Sequence, residues 1–302
     1  MADGRAARNN WWQRSELLAL LSAGLALVSW LPQAGAATGT APVTSPTGGF
    51  GIEGDLQANT PTNGIGDWVP GPAGPGGNVL TSAGVPLNSS TTIHVIDLFS
   101  NNADDNFGGG DKVNDDPNTW GWVRNPVGAK DDINHAVLHL TTATNGHQWI
   151  VVSGDRMSDN GNAYIDFEFL QSSLTLTTNA SGTNGGFAST GPHGGRTTND
   201  FILTVALTGG GTTASFFVDQ WKAKSGGGFD YFDITTMVPA GAVFAAVNTN
   251  DTLVPYGAFG GTTYAKNTFA EAAVDITALI GTAFDPCTSI GVRSILVKTK
   301  QF

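Results

Sequence analysis

Charge is what this sequence has least of. Only 13% of its 302 residues are charged, about half the ~25% of an ordinary soluble domain, and coiled coils and long surface helices, which need charged faces, are thereby excluded. Cysteine is as scarce. Cys287 is the single thiol, so no internal disulfide can form and the fold has to rest on its core. With no His pairing legible from spacing, that thiol reads as a small buried apolar group rather than a nucleophile. Basic residues are few, 14 against 25 acidic ones for a net charge of −11, and such a surface repels nucleic acid and anionic lipid. Also missing are a nucleophile elbow, a phosphate loop, a Cys/His zinc spacing and a solenoid repeat.

The sequence has one long apolar run, at its beginning. Arg5, Arg8 and Arg14 precede Leu17 to Leu31, then Pro32 and the small triplet Ala34-Gly35-Ala36. A positive stretch, an apolar stretch and an A-x-A site are the parts of a secretory signal peptide. The apolar run is shorter than the ~20 residues of a spanning helix. Residues 1–36 are therefore expected to be a signal peptide cleaved before Ala37, and the mature chain to be secreted without a membrane span. Its 11 basic and 23 acidic residues would keep it acidic.

What the chain does have is glycine, 41 residues, with 14 proline, 40% hydrophobic and 9% aromatic residues. That is enough apolar side chain for a core, with the glycine placed in turns between short strands. Residues 37–49, rich in Thr, Pro and Gly, read as a flexible linker. Val69–Asn78 reads as a loop. Strands are expected at Ile93–Phe99, Trp120–Val123, Ala136–Thr142, Gln148–Ser153, Ala163–Leu170, Ser173–Thr178, Phe201–Leu207, Ala214–Trp221, Val243–Val247 and Ser294–Thr299, each rich in β-branched or aromatic residues. One helical turn is expected at Ile276–Ile280, capped by Asp275 and stopped by Gly281. The pattern predicts an all-β fold over residues 50–302, an antiparallel two-sheet sandwich or jelly roll with long Gly/Asn/Asp-rich loops and a division into two subdomains near 195.

The scarce charge is concentrated. Asp97, Asp104, Asp105, Asp111, Asp115, Asp116, Asp131, Asp132, Asp155, Asp159, Asp166 and Glu168 fall in one quarter of the chain. Among them Asp104, Asp105, Asp111, Asp115 and Asp116 lie in a Gly- and Asn-rich segment offering the hard oxygens that Ca²⁺ prefers. Ca²⁺ bound there would relieve their mutual repulsion. The spacing matches neither an EF-hand nor a Ca²⁺-binding β-roll, and Asx-turns in a solvated loop account for the same residues without a metal.

In a strand, Tyr164-Ile165-Asp166-Phe167-Glu168-Phe169 puts Tyr164, Asp166 and Glu168 on one face, the two acids about 6.7 Å apart at Cα. This resembles the E-x-D-x-E strand of the family-16 glycoside hydrolases, which fold as jelly rolls and use the first Glu as nucleophile and the last as acid/base. Tyr164 stands in the nucleophile's place, and a retaining mechanism needs both carboxyls, so a structural or metal-binding pair is the alternative reading. Trp120 and Trp122 share a strand face, and Trp68, Trp149 and Trp221 are scattered. Exposed Trp rings would serve as sugar-stacking platforms, whereas buried ones would be core. His135 and His139 fall on one side of a strand and read by default as lone half-buried histidines.

Taken together, Glu53-Gly-Asp-Leu, Asp67-Trp68, Asp104-Asp-Asn-Phe-Gly-Gly-Gly-Asp-Lys, Asn114-Asp-Asp-Pro-Asn-Thr-Trp, Gly128-Ala-Lys-Asp-Asp-Ile-Asn, Gly154-Asp-Arg, Tyr164-Ile-Asp-Phe-Glu-Phe, Gly194-Gly-Arg, Asn199-Asp200 and Phe284-Asp-Pro-Cys-Thr-Ser-Ile resemble, in order and spacing, a family of bacterial secreted and cell-surface proteins. The resemblance implies an extracellular β-sandwich with no established activity. The expectation is a non-enzymatic, Ca²⁺-stabilised envelope or matrix protein that binds other surface proteins, or its own copies through the C-terminal edge strand. A lectin-like module binding glycans through Trp120, Trp122, Tyr164 and Asp166 is the alternative, and a hydrolase using Asp166 and Glu168 the third reading.

Overall fold

The computed structural model describes residues 38–58, 64–71, 77–97, 99, 104–108, 113–208, 213–282 and 291–300. The signal-peptide segment, Asp111 and Cys287 lie outside them. Two five-stranded antiparallel sheets dominate. The outer sheet runs, edge to edge, through β13 (Phe229–Asp233), β12 (Thr213–Ala223), β11 (Phe201–Thr208), β8 (Ala163–Leu170) and β18 (Ser294–Lys300). The central sheet runs through β14 (Val243–Val247), β17 (Phe269–Asp275), β7 (Gln148–Asp155), β6 (His135–Thr142) and β3 (Thr92–Ile96). The all-β sandwich expected from the sequence is what these residues form.

Alternation decides which face of each strand enters the core. Ile165, Phe167 and Phe169 of β8 pack with Leu203 and Val205 of β11, Val152 of β7, and Ala272 and Val274 of β17. The other face of the central sheet is covered as well. Trp149, Val151, Ala273 and Phe269 meet Phe50, Ile52, Leu56, Trp68, Val69 and Leu80 from the N-terminal part of the chain. A third layer thus lies over the sandwich, and it explains why all seven residues of β17 are buried. A strand covered on both faces shows no alternation of polar and apolar residues.

That third layer corrects the reading of residues 37–49 as a flexible linker. β1 (Gly39–Ala41) pairs with β2 (Phe50–Ile52), and Ala41 and Val43 are buried. The segment packs because its few apolar residues reach the central sheet. Val69–Asn78 likewise contributes buried Val69 to this layer. Position 195 separates β8 from β11, which are hydrogen-bonded neighbours in one sheet, and residues 34–302 form one compact unit.

A four-stranded side sheet, β4 (Asp105–Phe107), β5 (Gly121–Arg124), β10 (Asn184–Ser189) and β9 (Leu174–Thr178), completes the main architecture. A two-stranded ribbon joins β15 (Thr252–Ala258) and β16 (Gly261–Tyr264). α1 (Ile276–Thr282) is capped by Asp275, whose Oδ1 accepts the Ala278 N–H at 2.9 Å. It passes through Gly281 by one residue rather than stopping there. Phe167 has no exposed surface and sits at the centre of the sandwich. Phe167→Ala should cost about 3–5 kcal/mol of unfolding free energy, read from the shift of the urea midpoint.

Candidate functional site

β8 places Asp166 and Glu168 side by side on the face of the outer sheet away from the core, and both are fully buried. Cross-strand register sets Asp166 opposite Lys298 of β18 and Thr204 of β11, and Lys300 opposite Tyr164. Glu168 Oε1 accepts from Arg196 Nε at 2.7 Å and from the Tyr231 hydroxyl at 2.9 Å, while Oε2 pairs with Lys298 Nζ. Asp166 accepts from the Thr204 hydroxyl at 2.6 Å and pairs with Lys300 Nζ at 2.9 Å. Arg196 is itself buried. Its remaining nitrogens donate to the carbonyls of Val113 and Asp115, and its guanidinium lies 4.7–5.1 Å from the ring centroids of Trp120, Trp221 and Tyr231.

This arrangement reassigns the hydrolase-like pair. Burial alone would raise the Glu168 carboxyl, but the charges of Lys298 and Arg196 outweigh it and hold the group down at about 2. A carboxylate so held has no proton to donate near neutrality, and its oxygens are engaged by two cations and a phenol. The structure thus uses Asp166 and Glu168 as anchors for Arg196, Lys298 and Lys300. Proximity in sequence revealed the shared face of the strand. It could not reveal the cations, which arrive from segments about 30 and 130 residues away.

The sugar-platform reading fails on exposure. Trp68, Trp120, Trp122, Trp149 and Trp221 are all buried, the most exposed at 5%, so none presents a ring face to solvent. Trp120 is enclosed by Phe107, Phe187 and Arg196, and Trp122 donates its indole N–H to the Thr177 carbonyl at 2.8 Å. Tyr164 is half-buried.

The described acids of the acidic middle form no convergent set, and Asp111 lies outside the described residues. Asp105 lies on β4, 3.5 Å from Arg124. Asp104 is buried beside Asp132, and burial with that neighbouring charge lifts its carboxyl to about 6. The Asp115 carbonyl is held by Arg196, and Asp116 Oδ1 caps the 3-10 turn at Pro117–Thr119 by accepting the Asn118 N–H at 2.9 Å. That last contact is the Asx-type use of the side chain which needs no metal.

The histidines are structural. His94 Nε2 lies 2.8 Å from His135 Nδ1, and His139 bridges the Thr92 hydroxyl and the Ser45 carbonyl. Burial lowers all three, His135 to about 4, where the His94 charge adds to it.

A different carboxylate group forms where the third layer meets β17. Ligand oxygens of Glu53, Asp55 and Asp67 lie within 4.8 Å of one another, the one such convergent set among the described residues. Beneath them Glu271, buried in β17, accepts the N–H groups of Glu53 and Gly54 at 2.9 and 2.7 Å and the Trp68 indole N–H at 2.9 Å. Asp67 Oδ1 accepts the Trp68 N–H at 2.6 Å, whereas buried Asp67 Oδ2 has no hydrogen-bond partner. Local backbone makes room for this crowding. The carboxylate of Glu53 folds back over Gly51, where a Cβ would collide with it, and Gly54 adopts φ +89° against the Val247 carbonyl. Burial first, then Asp55, pushes Glu53 up to about 7. Burial, then Glu271, Glu53 and Asp55, drives Asp67 well above the usual carboxylate range. Glu271 is likewise raised by burial and by its acidic neighbours. Glu53, Asp55 and Asp67 lie close in sequence, but residue spacing gave no hint of Glu271 beneath them, which comes from a strand more than 200 residues away.

Comparisons with protein-family models, with curated proteins and with solved structures found no match to this chain.

Two outcomes follow from the Glu168 network. Arg196→Met removes one partner of a buried ion pair and should destabilise the fold by about 3–5 kcal/mol in urea titrations. Because the folded carboxyl is depressed, its contribution to stability is present above about pH 4.5 and disappears as pH falls towards about 2. Glu168→Gln should therefore show a flatter stability profile than the wild type between pH 4.5 and 2.

Proposed function

We propose that this chain is a secreted or cell-surface structural protein without catalytic activity, which binds a second copy of itself along the open side of its sandwich. The observation that carries this reading is the meeting, at one apolar groove, of two sheet edges that no other described strand covers. β3 ends the central sheet and β18 ends the outer sheet. Between them runs a groove of about 320 Å³ lined by Ile93, Val95, Leu140, Ile295 and Val297, with core residues Val152 and Phe167 in its wall. Ile93 and Val95 are 53% and 54% exposed. Apolar side chains exposed beside unpaired strand edges are unusual in a monomer, and antiparallel edge-to-edge pairing about a two-fold axis would cover both copies at once.

Secretion is supported by the tripartite pattern of residues 1–36, and the absence of catalysis by the engagement of Asp166 and Glu168 in ion pairs. The likeness to bacterial secreted and cell-surface proteins points to the same class. The glycan-binding reading has no exposed Trp among the five to rest on.

Sedimentation of the full chain over a range of concentrations tests the association. Wild type should form dimers that strengthen with added salt, since screening weakens the repulsion between two chains of net charge −11. Val95→Lys and Ile93→Lys should leave it monomeric while changing the thermal midpoint little, both sites being exposed. A wild-type chain that stays monomeric at every concentration and salt level would overturn the proposal.

A further inference from the structure

We propose that Glu53, Asp55 and Asp67 form a Ca²⁺ site that ties two loops of the N-terminal layer together where that layer packs on the central sheet. One buried oxygen at this place is satisfied by nothing among the described residues. Asp67 has no exposed surface, its Oδ1 takes the Trp68 N–H, and its Oδ2 has no hydrogen-bond partner. A buried carboxylate oxygen left in this state is costly unless a cation or a proton meets it. The charged groups acting on Asp67 are Glu271, Glu53 and Asp55, all carboxylates.

Geometry selects the cation. Ca–O distances of about 2.3–2.6 Å allow ligand oxygens on opposite sides of the ion to be about 4.6–5.2 Å apart, and the three ligand atoms here lie within 4.8 Å of one another. The donors are all oxygen, which suits a hard cation and not zinc, for which nitrogen or sulfur ligands would be expected. Three carboxylates leave several of the 6–8 positions of Ca²⁺ for water. Glu53 and Asp55 open onto a cleft of about 490 Å³, lined on its far side by Thr249, Asn250 and Asp251, from which water can enter. Mg²⁺ prefers shorter bonds and stricter octahedral geometry, so it should bind this set more weakly.

Glu271 is a positioning residue in this site. Both of its oxygens are already occupied by N–H donors from Glu53, Gly54 and Trp68, so it fixes the backbone of the ligand loop and the indole beside Asp67 instead of coordinating. A bound Ca²⁺ would balance its charge and the charges of the three ligands. The ion would join the loop of Glu53 and Asp55 to that of Asp67 directly above β17, at a point where four acids meet.

The test uses the full chain freed of metal with a chelator and titrated with CaCl₂ alone, read by calorimetry and by thermal unfolding. At Ca²⁺ concentrations about a hundredfold above the dissociation constant, the midpoint should rise by about 5–10 °C over that in chelator. Glu53→Gln and Asp67→Asn should each weaken Ca²⁺ binding at least about tenfold, and Asp104→Asn should leave it within about twofold. Glu53 is exposed, so Glu53→Gln is expected to fold normally in chelator and decides the matter should Asp67→Asn fail to fold. Equal midpoints with Ca²⁺ and with chelator would overturn the proposal. So would wild-type affinity in Glu53→Gln, or a loss of binding confined to Asp104→Asn, which would place the ion in the acidic middle.

Discussion

A polar group on a sheet covered on both faces must find its partner inside the protein or stay costly, and the rest of this structure follows from that constraint on the central sheet. One face packs on the outer sheet and the other on the N-terminal layer, so β17 offers its side chains no water on either side. Alanine and valine fill most of its positions because two layers must approach closely. Besides Phe269 the strand carries two acids, Asp275, which caps α1 and pairs with His147, and Glu271, whose two oxygens are met by three N–H donors of the third layer. The N-terminal segment therefore does more than cover apolar surface. It solvates Glu271, and it brings Glu53, Asp55 and Asp67 to the same place.

The outer sheet meets the same constraint in a different way. Its far face carries Asp166 and Glu168, and there the balancing groups are full charges from Arg196, Lys298 and Lys300. Two clusters of carboxylates in one molecule thus differ in sign of surroundings. Cations hold Glu168 down at about 2, while acids and burial hold Glu53 up at about 7. A group surrounded by cations is saturated and inert. A group surrounded by its own kind still has an interaction to make, and for that reason the proposed cation site lies at Glu53 and not at Glu168.

The same contrast explains which elements could be read in advance. Strands with one face in the core, such as β8 and β11, alternate visibly and were expected at nearly their true limits. β17 was missed because an Ala-rich strand buried on both faces lacks alternation and carries a single β-branched residue, Val274. β1, β2, β4, β10, β13, β15 and β16 are short or glycine-bearing, and pairing with neighbours, not local propensity, makes them strands. Residues 37–49 looked like linker because Thr, Pro and Gly dominate them. Two apolar side chains, Ala41 and Val43, were enough to dock that stretch.

By itself the sequence determined the all-β class, most of the strands, and the shared face of Asp166 and Glu168, because period-two alternation and glycine-marked turns are local properties of the chain. Only the tertiary structure decided what the charges do. Coulombic environment depends on which residues meet in space, and here the meetings span up to about 218 residues. Clustering along the chain pointed to residues 104–116 as a metal site, and of their described acids Asp104 is buried beside Asp132, Asp105 lies near Arg124, the Asp115 carbonyl meets Arg196 and Asp116 caps a 3-10 turn. Folding brings Glu53, Asp55 and Asp67 together over the distant Glu271 of β17, where burial in a three-layered fold leaves Asp67 Oδ2 without a hydrogen-bond partner among the described residues.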